Sequence, residues 1–427
     1  MTPAARVQAA IDVLTALEKT DQPADRLVRD YFRARRYAGS KDRAAVAERV
    51  FSVLRHRGAL AWAIQDEAPR ALVLASVAEA GEDPDTLFTG QNYAPPSLSD
   101  DERKRLKSLR TDLPLHAEGA FPAFLEPELT RAFGDRLLRE MTALLERAPT
   151  DLRANSLKAS RDDVLRLLHA QGYDAAPTPH SPIGIRIASG GGGLDKTKEF
   201  EAGLFEFQDE AAQIASILVA ARPDMRILDL AAGAGGKALA LAAAMRDQGE
   251  IVACDVRQPA LQQLAIRAKR AGATNIKTFL LEDAAPAGRF DAVLVDAPCS
   301  GSGTWRRQPD LRWKLTPAVL TQRIAAQDAL LDRAAAFVKP GGRLIYATCS
   351  VLPCENQERV AAFLRRHPRF TPLSAADAWT RETGTPPPPG MAEDFRATPY
   401  STGTDGFFTA LLIHTPAASG ALDKGEG

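Results

Sequence analysis

From Phe205 to His414 short aliphatic runs alternate with longer amphipathic stretches, and this alternation restricts the fold more than any other feature of the sequence. Met225–Leu230, Ile251–Val256, Phe290–Asp296, Arg343–Thr348 and Phe407–Ile413 read as strands. Gly235–Met245, Pro259–Ala271, Pro317–Val338 and Pro353–His367 read as helices. Parallel strands need a long crossover between them, usually a helix. The pattern therefore predicts a βαβ sheet. FDAVLVD, Phe290 to Asp296, is apolar almost throughout, as expected of a strand covered on both faces. Ligands of such sheets bind beyond the carboxyl ends of the strands, so the residues just after each strand are the ones to read for chemistry.

The rest of the chain has a different texture. Residues 1–148 read as helical, with Val7, Ile11, Leu14 and Leu17 on one face of a first helix. Asp42–Ile64 reads as a second. Residues 149–200 read as a small β-α-β linker module. In it Leu152–Leu157 and Ile183–Ile187 are strands, and Ser160 with Asp163 opens the helix as a capping box. Residues 201–415 form the α/β domain and 416–427 a tail. A chain of 427 residues, 45% hydrophobic and 25% charged, has ample material for such cores, which excludes disorder.

Fifty-four basic residues balance 54 acidic ones, which excludes a uniformly basic coat but not a local basic surface. Between Arg29 and Arg57 stand Arg29, Arg33, Arg35, Arg36, Lys41, Arg43, Arg49, Arg55 and Arg57, against Asp30, Asp42 and Glu48. That stretch is either a solvated helix face or a surface for phosphates. Four cysteines make no disulfide framework. The N-terminus lacks the apolar core of a secretory signal, and no apolar run is long enough to span a bilayer. The cytoplasm is the expected location.

The first strand of the sheet runs into DLAAGAGGKA, Asp229 to Ala238. Gly233, Gly235 and Gly236 allow a sharp turn and close approach of backbone to a ligand at a helix start. A dinucleotide, a phosphate or S-adenosylmethionine would all fit such a loop, and a plain tight turn is the bland alternative. The second strand ends at Asp255, where a carboxylate binds ribose hydroxyls in open α/β sheets. Glu282–Asp283 follows the third strand, within reach of an adenine edge. Lys237 lacks the spacing of a triphosphate loop. Together these favour a nucleoside cofactor.

Two cysteines stand at strand ends. DAPCSGSGTWRRQPDLRW, Asp296 to Trp313, delivers Asp296 and Cys299; YATCSVLPCEN, Tyr346 to Asn356, delivers Cys349. Both interrupt polar loops beside the expected ligand crevice. Cys254, inside its strand, and Cys354, at a helix start, read as packing residues. Cys349 and Cys354 have neither a second, paired C-x₂₋₄-C motif nor a close histidine, so no metal is expected.

DAPCSGSGTWRRQPD and YATCSVLPCEN resemble the two signature motifs of the Sun family of RNA cytosine-5 methyltransferases. DLAAGAGGK resembles that family's methyl-donor loop, DxCAAPGGK, with Ala231-Ala232-Gly233-Ala234 where the family has Cys-Ala-Ala-Pro. LRANSLKASR, FEFQDEAAQ and TDGFF match further family segments, with Tyr400 where a histidine is usual. SKDRAAVAERVFSVLRHR, Ser40 to Arg57, resembles the NusB-like helical domain that precedes the catalytic domain in bacterial 16S rRNA cytosine-5 methyltransferases.

The resemblance implies a Rossmann-like class I methyltransferase domain behind an all-α NusB-like domain. The cofactor would be S-adenosylmethionine, held by Ala231, Ala232, Gly233, Ala234, Gly235, Gly236, Lys237, Asp255, Asp283 and Asp296. Cys349 would attack carbon 6 of a cytosine, Cys299 would assist release, and Asp296 would hydrogen-bond the ring at nitrogen 3. Arg306, Arg307, Arg312 and Lys314, just after the Cys299 motif, would hold phosphates flanking the extruded base. The implied partner is RNA, as rRNA or a ribosomal subunit precursor, bound by a monomer. A tRNA methyltransferase and a catalytically weak RNA-binding assembly factor are the alternatives.

Overall fold

The computed structural model describes residues 1–189, 192–281 and 286–416. The chain divides into two compact units. Unit 1 comprises Met1–Arg147 with Thr304–Pro317; unit 2 comprises Ala148–Gly303 with Ala318–Gly427.

Unit 1 is helical. Its main helices are α1 (Pro3–Leu17), α2 (Ala24–Arg33), α3 (Ser40–Ile64) and α4 (Pro69–Glu79). The Thr2 hydroxyl caps α1 by accepting the Ala5 N–H, and Pro3 sits in the first turn, where no N–H is missed. The apolar face read from the sequence is buried: Val7, Ile11, Leu14 and Leu17 join Val46, Val50, Val53 and Leu54 of α3 and Leu72–Leu74 of α4 in one core. The Thr304–Pro317 segment, expected in the α/β domain, packs in this unit. Its Arg312 is fully buried and donates to the carbonyls of Ala120 (2.7 Å), Leu144 and Arg55. No helix among the described residues is long and apolar enough to cross a membrane.

Unit 2 holds two sheets. In the smaller, β1 (Thr150–Ala154), β2 (Asp174–Pro177), β3 (Gly184–Ser189) and β4 (Phe205–Phe207) run antiparallel in the order β2-β3-β1-β4. The expected β-α-β module thus gains two strands. The DAAP sequence of β2 carries no strand signal of its own; it lies at an edge, where Pro177 is tolerated, and pairs with β3. The helix Arg161–Ala170 begins at the predicted Ser160/Asp163 capping box.

The larger sheet contains β5 (Arg226–Asp229), β6 (Glu250–Asp255), β7 (Ile276–Leu280), β8 (Phe290–Asp296), β9 (Val338–Thr348), β10 (Phe370–Leu373), β11 (Phe395–Ala397) and β12 (Phe407–His414). Its order is β10-β12-β9-β8-β5-β6-β7, with β11 added on β12. β7, β6, β5, β8 and β9 are mutually parallel; β12 runs antiparallel to β9. Strand β8 explains the unbroken apolar run. Phe290, Val293 and Val295 enter one core, and Ala292 and Leu294 enter the core on the opposite face. The strand order reverses between β5 and β8, and the functional loops follow at that switch point.

Candidate active site

The loop after β5 is tightly specified. Gly235 has φ +82°, and a Cβ there would meet Leu264 Cδ1 at 2.0 Å. The Ala232 N–H donates to the Cys254 carbonyl (2.8 Å), which ties the loop to β6. Two arginines then hold its carbonyls. Arg153, buried on β1, donates to Gly236 O (2.7 Å) and to Gln208; Arg267 donates to Ala234 O (2.7 Å) and pairs with Glu206. Arg153 lies inside LRANSLKASR, but neither arginine could be given a role from sequence, since their partners lie far off in the chain.

Asp255, at the end of β6, accepts the Gly233 N–H (2.8 Å), the Arg257 N–H (2.8 Å) and the Arg257 guanidinium (3.0 Å). Burial pushes its carboxyl up, but the bonds from Arg257 and Gly233 outweigh burial and hold it below the usual range. These bonds, with a second from the Arg257 guanidinium (3.2 Å), fill its lone pairs, so any diol accepted there would have to displace the exposed Arg257 side chain. Asp283 lies outside the described residues. Asp229, at the end of β5, is buried. The Ala231 N–H lies close without completing a hydrogen bond. Burial, with the Asp296 charge second, pushes the Asp229 carboxyl up to about 7.

Asp296 ends β8 and accepts from Lys237 Nζ at 2.5 Å. Burial alone would push the Lys237 ammonium down; the Asp296 charge and hydrogen bond reverse this and hold it above its ordinary value. Beyond Asp296 the Cys299 sulfur lies 3.3 Å from the Cys349 sulfur, the first from the loop after β8 and the second from the loop after β9. The hydrogen bond to Cys349, then burial, then the charges of Cys349 and Glu355, push the Cys299 thiol well up.

A buried polar frame fixes this pair. Glu355 accepts from the Ser300 N–H (2.8 Å), the Ser300 hydroxyl (2.5 Å) and the Gln327 amide (3.0 Å). The Ser302 and Ser350 hydroxyls lie 3.0 Å apart, and the Gly303 N–H donates to Cys349 O (2.9 Å). These bonds tie the two cysteine loops to each other. Glu355 was legible only as part of CEN; a carboxylate inside a buried turn was the available signal.

A cavity of about 870 Å³ joins these features, lined by the donor loop, Lys237, Asp255, Val256, Leu281, Asp296 and Cys299. Drug-sized ligands occupy cavities of about 300–1,000 Å³. Of the four residues expected at phosphates, Arg312 is corrected. Its guanidinium is spent on carbonyls inside unit 1, where burial and the Arg55 charge push it down to about 9. Lys314 is held by Gln22 O (2.8 Å) and Asp310 (3.3 Å), and Arg306 is buried; Arg307 is exposed. These four belong to unit 1, whereas the cysteines and the cavity belong to unit 2.

A family model described as 16S rRNA methyltransferase RsmB/F matches residues 216–413. A second, described as the RsmF/B-like ferredoxin-like domain, matches residues 121–192. A probable ribosomal RNA small subunit methyltransferase B from Synechocystis is 33% identical over 304 residues, 69% of this chain and 66% of that protein. The chain belongs to the RsmB/F methyltransferase family. It spans 66% of the length of that curated relative.

Among solved structures, PH0851 superposes with a TM-score of 0.76 at 26% identity, over 96% of this chain and 99% of that one. NSun6 from Pyrococcus horikoshii, solved with SFG, superposes with a TM-score of 0.62 at 21% identity, over 70% of this chain and all of that one. The fold is therefore the Rossmann-like methyltransferase fold. RsmB/F methyltransferases use S-adenosylmethionine, and the cavity of this RsmB/F chain fits it. Val256, 65% exposed, and Leu281 offer apolar surfaces for a flat adenine. Asp255 offers the diol acceptor, and the loop glycines clear space for the backbone to approach. In this RsmB/F chain the family's loop proline is Ala234, whose carbonyl Arg267 holds instead.

Proposed function

We propose that this chain methylates carbon 5 of a cytosine in small-subunit rRNA through a transient cysteine adduct. The 3.3 Å sulfur pair at the ends of two adjacent parallel strands carries the reading, because a single nucleophile needs no second thiol at contact distance.

Carbon 5 of cytosine is too weak a nucleophile to take a methyl group unaided. A thiolate that adds to carbon 6 makes carbon 5 enamine-like; covalent addition thus divides one hard step into two. S-adenosylmethionine supplies an electrophilic methyl group. Either sulfur of the pair could donate to the other; in this reading the Cys299 thiol, pushed up, keeps its proton and Cys349 attacks. Asp296, steadied by Lys237, faces the same cavity and can hydrogen-bond the ring of the adduct. Once carbon 5 has lost its proton, the carbon 6–sulfur bond breaks and the thiol leaves. Cys299, still protonated, then hands its proton to the departing Cys349 sulfur as the carbon 5–carbon 6 double bond re-forms. The glutamate–serine frame keeps both sulfurs in place, which limits the geometric loss a mobile loop would bring.

The test is covalent trapping. The full-length chain and its Cys299→Ala and Cys349→Ala variants are incubated with rRNA and S-adenosylmethionine, then run on a denaturing gel. Both variants should lose turnover. A slow-migrating protein–RNA band should accumulate with Cys299→Ala and be missing with Cys349→Ala. The reverse pattern exchanges the two roles. No band together with intact turnover rejects thiol addition.

A further inference from the structure

We propose that unit 1 carries a stacking site for an unpaired nucleobase, built by Tyr37 and Tyr93 at a groove of mixed polar and apolar lining. The inference rests on RNA being the substrate, and it adds a second, non-catalytic grip on that RNA.

A groove of about 760 Å³ lies between the start of α1, the end of α2 and the turn at Asn92–Tyr93. Two aromatic rings stand at it almost unburied: Tyr37 is 75% exposed and Tyr93 is 91% exposed. The backbone under Tyr93 is unusual. The Ala94 N–H donates to the Gln91 carbonyl (2.8 Å), and the two central residues have φ +50° and +66°. That is the backbone of a type I′ turn, which favours Asn then Gly. Asn92 suits its place. Tyr93 occupies the glycine position, strained, with a ring that buries almost nothing in return. Strain of this kind, held without packing to offset it, points to a contact made with something outside the chain.

The floor of the groove shows what that something is. Tyr31 donates its hydroxyl to Asp12 (3.0 Å), and the Arg35 guanidinium lies 3.7 Å from the Tyr31 ring centroid. Gln8 also donates to Asp12. The lining sets these hydroxyl, amide, carboxylate and guanidinium groups beside the apolar surfaces of Met1, Ala5 and Ala94. The polar groups suit the polar edges of a base, while exposed rings and a flat guanidinium suit its faces. The surrounding charge agrees. Arg36 and Lys41 are exposed and meet no carboxylate within ion-pair reach among the described residues. Asp42 is already neutralised by Arg6. Much of the wider Arg29–Arg57 basic stretch, by contrast, is paired within unit 1, as in Arg29–Asp25, Arg33–Asp30, Arg49–Glu82, Arg55–Glu48 and Arg57–Glu67. The cations left to meet phosphates, Arg36 and Lys41, therefore flank Tyr37 in the sequence.

A base inside a duplex keeps its faces covered, so the site selects single strands. Fluorescence anisotropy with full-length protein should be run on a short single-stranded RNA and on the same sequence in a duplex, across a salt series. Tyr37→Ala and Tyr93→Ala should each weaken single-strand binding about five-fold or more, from the usual worth of one stacked base. The salt slope should stay unchanged and duplex binding should be unaffected, because no phosphate contact is lost. Tyr37→Trp should restore affinity. Tyr93→Gly should relieve the turn, so that the melting temperature rises while single-strand affinity falls. Equal losses on both RNAs, unchanged single-strand affinity in the double variant, or a fall in both stability and affinity for Tyr93→Gly would each overturn the site. If the unmodified chain binds neither RNA, the RNA reading fails as well. If it binds and the double variant matches it, only this inference fails.

Discussion

Replacing Glu355 should separate a structural carboxylate from a dispensable one. Glu355 is fully buried and accepts from three donors, two on Ser300 and one on Gln327. Glu355→Ala removes all three acceptors. The Gln327 amide keeps Pro298 O at 3.1 Å, and the Ser300 hydroxyl keeps Ser350 Oγ at 3.3 Å. The Ser300 N–H keeps nothing. A buried donor left unsatisfied costs about 1–3 kcal/mol, and bonds to a charged acceptor are worth about 1.5–3 kcal/mol each. The expected loss is about 3–6 kcal/mol. Glu355→Gln retains the volume and one oxygen. That oxygen can keep the Ser300 N–H and Gln327, while the Ser300 hydroxyl turns to accept from the new amide. Only charge assistance is lost, at about 1–2 kcal/mol. Urea unfolding of the two variants should therefore differ by about 1–5 kcal/mol, with the larger loss in Glu355→Ala. A second readout follows the Cys299 thiol, which the Glu355 charge helps to push up. In Glu355→Gln the pH profile of Cys299 alkylation, mapped by peptide mass, should move to lower pH. Equal costs for the two variants, or an unmoved alkylation profile, would refute the reasoning.

Other expectations follow from the same geometry. Asp255→Ala should weaken S-adenosylmethionine binding by calorimetry in a folded protein, whereas Arg257→Ala should strengthen it by freeing the Asp255 oxygens; no change in either would remove Asp255 from the site. The Asp229 carboxyl keeps its proton in the fold up to about pH 7, whereas the unfolded chain releases it near the ordinary aspartate value. This group therefore lowers stability progressively as pH rises from about 4 to about 7, and Asp229→Asn should abolish that fall in urea midpoints. Arg312→Ala should cost about 2–5 kcal/mol through orphaned carbonyls and lost packing, yet leave the salt slope of RNA binding unchanged. A reduced slope would return Arg312 to the phosphates.

Four of the five parallel strands were legible because each is a run of apolar residues bounded by a turn; β7, IKTFL, is half-exposed and its bounds were not. The cysteine and glycine loops were legible because their chemistry is local in sequence. What escaped were elements defined by distant partners. Strand β2 has an unremarkable DAAP sequence and exists by pairing with β3. Strands β10 and β11 are short and lean on β12. Arg153 and Arg267 serve the donor loop across 83 and 33 residues of chain. Arg312 misled for the converse reason. A basic run beside a catalytic motif looks like a phosphate contact until burial shows its guanidinium facing carbonyls.

The discontinuity of unit 1 bears on how the molecule is made. The Thr304–Pro317 segment supplies Trp305, Arg312 and Leu315, all buried, to a body otherwise finished at Arg147. On the ribosome that body waits while roughly 150 residues of unit 2 are synthesised. At about 5–20 residues per second the wait is on the order of ten to thirty seconds, far longer than a helical core needs to collapse. For that interval the place of Trp313, which packs against the apolar core of unit 1, is open, a natural foothold for a chaperone. No single cut in the gene separates the two bodies cleanly. Removing the first 147 residues strips the segment of its seat, and a fragment ending there leaves the seat empty.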